Sequence, residues 1–65
     1  MKTAEQGALT YISNSIRAYL AGEKNCTETW LIKVAGAVAP DTVRKALAER
    51  PHEPKIQFLR ELYNA

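Results

Sequence analysis

The side chains best suited to do chemistry in this 65-residue chain are basic and sit close together. Arg44, Lys45 and Arg50 follow Thr42, and Lys33 lies a short segment upstream. A guanidinium is a planar fork that pairs with a guanine edge or a phosphate, whereas an ammonium on a flexible stem is more naturally a phosphate contact. Such a set permits contact with double-stranded DNA. On that reading Thr42 and Arg44 face bases, while Lys45, Arg50 and Lys33 lie near phosphates. The same cations also fit an ordinary solvated face, with Asp41, Glu49 and Glu53 partly offsetting them.

Other chemistry finds little support. His52 is the only histidine and Cys26 the only cysteine, so a four-ligand zinc site would need carboxylates brought in by folding. A Cys–His nucleophilic pair lacks an orienting motif, and neither a Gly-rich phosphate loop nor a paired-carboxylate signature is present. No catalytic residues, metal or cofactor are expected, and no small-molecule substrate. The chain does not read as an enzyme.

Composition sets the frame. A chain of this length buries only about 60% of its unfolded surface, so residues 1–65 read as one domain with one small core. Hydrophobic residues make up 46%, enough to argue against disorder. A core this small makes a homodimer a natural route to stability. One cysteine excludes an internal disulfide framework and fits a reducing compartment. The N-terminal stretch places Glu5, Gln6, Thr10, Ser13 and Asn14 where a signal peptide needs an apolar run. No segment approaches the roughly 20 apolar residues of a membrane span. A cytoplasmic location without membrane attachment is therefore expected. A net charge of +2 permits a nucleic-acid partner without requiring one.

The elements that must position these groups are helical. Leu9, Ile12, Ile16, Tyr19 and Leu20 recur at three- and four-residue steps, predicting a helix from Ala4 to Ala21 with Gly22 at its C-cap. A second helix is expected from Asn25 or Thr27 to Gly36, with Asn25 and Glu28 placed as a capping box. Trp30, Leu31, Val34, Ala35 and Val38 supply its buried side. Pro40 suits the first position of a third helix, and Asp41 complements its dipole. Val43, Ala46 and Leu47 point inward there, and Pro51 stops the helix. A last helix follows Pro54, with Ile56, Leu59, Leu62 and Tyr63 in step and Phe58 at the stripe's edge. The fold class is all-α, a small bundle of about four short helices.

The second and third helices form a helix-turn-helix-like pair. The segment IKVAGAVAPDTVRKAL resembles the helix-turn-helix core of small bacterial and phage regulators, with Ile32, Val38, Val43 and Leu47 at its core positions. SIRAYL before it resembles the helix that packs behind the motif in winged-helix pilus regulators. The likeness covers Ser15 to Glu49, about half the chain. It implies a transcriptional regulator of bacterial, phage or plasmid type. Lys33 stands where such units place a small residue and must extend outward. Ala37 stands where the turn usually has glycine, and a Pro-containing tail replaces the wing. A second reading uses the aromatic residues. Trp30, Phe58 and Tyr63 would form a helix face that docks on another protein or on a second copy of the chain.

Overall fold

The computed structural model describes residues 3–64 and contains four helices joined by short turns. They are α1 (Ala4–Leu20), α2 (Glu28–Gly36), α3 (Pro40–Ala48) and α4 (Gln57–Tyr63), the last preceded by one 3-10 turn, Pro54–Ile56. There is no strand among the described residues. The expected all-α bundle is the architecture observed.

Local chemistry sets the ends of each helix. Thr3 and Gln6 cap α1 reciprocally: Thr3 Oγ1 accepts from the Gln6 amide at 3.1 Å, and Gln6 Oε1 accepts from the Thr3 amide at 3.2 Å. That arrangement satisfies two amides that a helix N-terminus leaves without partners. At the other end Gly22 adopts φ +76°, and the amides of Gly22 and Glu23 return to the carbonyls of Tyr19 and Ala18. This is a left-handed helix stop, with Ala21 as the cap residue and Gly22 just beyond it. The start of α2 differs from the expected Asn25–Glu28 capping box. Thr27 is the cap, its Oγ1 accepting from the Trp30 amide at 3.1 Å, which leaves Glu28 inside the first turn. Three residues, Ala37 to Ala39, then separate α2 from α3. Ala37 is right-handed (φ −86°, ψ −7°), so this turn needs no glycine in the left-handed region.

One apolar core joins all four helices. It consists of Ile12 and Ile16 from α1, Leu31, Val34 and Ala35 from α2, Val43, Ala46 and Leu47 from α3, then Ile56 and Leu59. Helix α3 packs most extensively on α1, so the stripe Val43–Ala46–Leu47 lies at the centre of the molecule. Two residues of the predicted core fall outside it. Ile32 is 42% exposed and Leu62 is 57% exposed. In α2 the buried arc runs through Leu31, Val34 and Ala35, and Ile32 is rotated about 100° from Leu31. Across the 3-10 turn and α4, the arc through Ile56, Leu59 and Arg60 excludes Leu62 in the same way. Val38 is half-buried at the α2–α3 turn.

Candidate nucleic-acid interface

The α2–turn–α3 pair presents the basic residues from a helix whose opposite side is fixed by the core. With Val43, Ala46 and Leu47 buried, the 3.6-residue repeat leaves Asp41, Arg44, Lys45 and Ala48 on the exposed stripe of α3. Arg44 and Lys45 are therefore neighbours that lean to different sides. Arg44 donates from Nη1 to Asp41 Oδ1 at 2.7 Å and from Nε to the Tyr63 carbonyl at 2.8 Å, at the end of α4. Lys45 reaches the other way, to Glu5 Oε1 on α1 at 2.8 Å. The Glu5 contact pushes the Lys45 ammonium above its ordinary range, and Lys45 holds the Glu5 carboxyl below its own. In each case the hydrogen bond between them is the largest cause, followed by their Coulomb attraction. Both ion pairs are solvent-exposed. Surface pairs of this kind contribute little to stability and are easily exchanged for another anion.

Thr42 does not occupy the place expected of it. It is only 5% exposed and belongs to the inward side of α3. Positions 42, 43, 46 and 47 form one continuous arc at helical spacing, so Thr42 shares the face of the core residues rather than that of Arg44. It cannot face bases from this position. The first exposed turn of α3 instead carries Pro40 and Asp41, and the Asp41 carboxylate repels a phosphate.

The remaining basic residues are more dispersed. Lys33 is exposed in the last turn of α2, as its length requires where small residues pack. Arg50 lies beyond the end of α3, half-buried, in a loop that also contains Glu49, His52 and Glu53. That loop encloses an open depression of about 360 Å³. Among the described residues no three His, Cys, Asp or Glu side chains gather as a metal cluster.

The three aromatic residues of the second reading all pack against the core and stay partly exposed. Phe58 stands edge-on to Tyr19, ring centroids 5.8 Å apart and planes at 69°. This geometry gives Phe58 a packing role between α4 and α1. Tyr63 is tied through its carbonyl to Arg44, while Trp30 sits in the first turn of α2. Among the described residues, the exposed large apolar side chains are Tyr11, Ile32 and Leu62.

Arg60, which no motif marks, is the one charged residue among the buried side chains of the described residues. It is 8% exposed, and its Nη2 donates to the carbonyl of Arg50 and, at 3.3 Å, to that of Glu53. The available signal was its spacing: four residues after Ile56, it must share the buried face of that residue. Its guanidinium clasp ties α4 to the loop that follows α3.

Among the described residues no helix is long and apolar enough to cross a membrane. Compared with known protein families, curated proteins and solved structures, the chain finds no match.

Proposed function

We propose that this chain binds double-stranded DNA through α2, the three-residue turn and α3, as a small transcriptional regulator of bacterial, phage or plasmid type. The observation that carries this reading is the arrangement of α3. Its inner arc is fixed against α1, and its outer stripe holds Arg44 and Lys45 side by side in exposed, exchangeable ion pairs. A phosphate can replace Glu5 on Lys45 and Asp41 on Arg44 without disturbing the core. Lys33, exposed at the end of α2, adds a third phosphate contact. Arg44, with its planar fork, is the residue on this stripe best suited to pair bidentately with a base edge. Thr42 has no part in recognition, and Arg50 lies off the helix beside two carboxylates.

Two or three phosphate contacts give a log–log salt slope of about −2 to −3, and non-specific duplex binding of about 10⁻⁴ to 10⁻⁶ M at physiological salt. Fluorescence anisotropy with a labelled duplex tests this at low and physiological salt. The Arg44→Ala/Lys45→Ala double variant should bind far more weakly, with the slope reduced by about 2. Glu5→Gln should bind more tightly than the parent, because it removes the carboxylate that competes for Lys45. Unchanged affinity in the double variant would refute the proposal.

The exposure of Leu62 beside half-buried Tyr63 favours a second reading, in which the α4 surface meets another protein or a second copy. Absence of duplex binding even at low salt would favour that reading. Its direct test is loss of a co-purifying partner from a folded Leu62→Ser or Tyr63→Ala variant.

A further inference from the structure

Between α3 and α4 lies a groove of about 320 Å³, lined by Arg44, Leu47, Ala48, Pro51 and Arg60. We infer that it is a binding site for a small carboxylic acid with an apolar body, such as an arylalkyl or branched aliphatic monocarboxylate. The inference does not rest on the DNA-binding reading, with which it shares Arg44, but on the two arginines and what lies between them.

Arg60 is a cation with more than nine-tenths of its surface buried. Burying a charge is costly unless it is paired and hydrogen-bonded. Its Nη2 is satisfied by the carbonyls of Arg50 and Glu53, in the loop following the C-terminus of α3. The negative end of the helix dipole favours a cation there. These contacts use one nitrogen of three. Among the described residues, Nε and Nη1 make no hydrogen bond, and no carboxylate lies within ion-pair distance of Arg60. Among the same residues no fully buried side-chain nitrogen lacks a partner, so neither nitrogen is completely sealed from solvent. The groove is the opening that Arg60 lines.

Arg44 supplies the second cation. Its Nε and Nη1 are engaged by the Tyr63 carbonyl and by Asp41, and its Nη2 has no partner among the described residues. Among the described residues no acidic side chain lines the groove; the remaining lining is Leu47, Ala48 and Pro51. A ligand that suits this lining needs an anionic group for the open nitrogens and an apolar portion for the rest. A carboxylate has two oxygens, each able to accept a charge-assisted hydrogen bond, one from an open nitrogen of each arginine. The volume lies near the lower end of small-molecule sites and suits a ligand of modest size. Inorganic phosphate would satisfy the arginines but leave the apolar lining unused. A neutral isostere would do the reverse.

The test is an amide and arginine Nε–H NMR titration of the whole chain with 3-phenylpropionate, its neutral amide and inorganic phosphate. The acid should give saturable shifts centred on Arg60, Arg44 and Ala48, with a Kd on the order of a millimolar, as an open groove allows. The amide and phosphate should each bind roughly tenfold more weakly or not at all, since charge-assisted bonds or apolar contacts are lost. Ala48→Glu alters an exposed helix position with a good helix former and brings a carboxylate to the groove; it should abolish acid binding while the helical spectrum is retained. Arg44→Gln should weaken the acid by about tenfold and leave the amide unaffected. Equal binding of acid and amide would overturn the inference. So would equal binding of phosphate, shifts that do not saturate, or full acid binding by folded Ala48→Glu.

Discussion

Thr42→Val separates a residue that supports the fold from one that reads a ligand. The Thr42 side chain is buried beside Val43, and among the described residues its hydroxyl makes no hydrogen bond. Valine has nearly the same shape and a similar helix propensity, so the change replaces a poorly partnered hydroxyl with a methyl in the same space. Burying a hydroxyl without a full partner costs about 0.5–2 kcal/mol, and a buried methyl contributes about 0.8 kcal/mol. The Thr42 oxygen is not fully sealed from water, which keeps the gain near the low end. A net stabilisation of about 1 kcal/mol follows, equivalent to a rise of roughly 4–8 °C in Tm for a domain of this size. Thr42→Ser should have the opposite sign, losing about 0.8 kcal/mol with its buried methyl. Thermal unfolding by circular dichroism reads both, and duplex anisotropy run in parallel reads recognition. Affinity should be the same for Thr42→Val and the parent. A base contact is worth about 1–3 kcal/mol. A tenfold or greater loss of affinity in a stabilised Thr42→Val variant would therefore return Thr42 to the interface. A fall in its Tm would refute the packing argument.

Leu47 is fully buried where α3 meets the core, and Leu47→Ala should cost about 2–5 kcal/mol, read as a lower urea midpoint. Because total stability for this length is on the order of 3–10 kcal/mol, an effect below about 1 kcal/mol would contradict a tight core at this position. The Lys45–Glu5 pair makes a pH-dependent prediction. With the Glu5 pKa below 4.5 and the Lys45 pKa above 10.5, its stabilisation is fully present between those values. It is lost as pH falls through the lowered Glu5 value or rises through the raised Lys45 value. The Tm difference between the parent and Glu5→Gln should thus vanish in strong acid and shrink in high salt. A difference that persists after Glu5 is protonated would show that the pair is not its source.

The helices and most of the core are legible in the order of residues alone. The three- and four-residue spacing of Ile12 with Ile16, Leu31 with Val34, and Val43 with Leu47 allows one buried stripe per helix, and Gly22, Pro40 and Thr27 mark ends through local backbone chemistry. Local rules also placed Arg44 and Lys45 on one outward stripe. The width of each buried arc, by contrast, follows from how the helices pack on one another. Thr42, Ile32, Leu62 and Arg60 all lie near the edge of an apolar stripe, where periodicity leaves the side open and the neighbouring helix settles it. Close packing against the body of the fold draws Thr42 inside, while α2 and α4 leave Ile32 and Leu62 in water. Arg60 became a buried clasp because folding brings two loop carbonyls to it, from residues seven and ten positions away. The groove it shares with Arg44 exists for the same reason: two arginines 16 residues apart (60 minus 44) become neighbours only when α4 folds back beside α3.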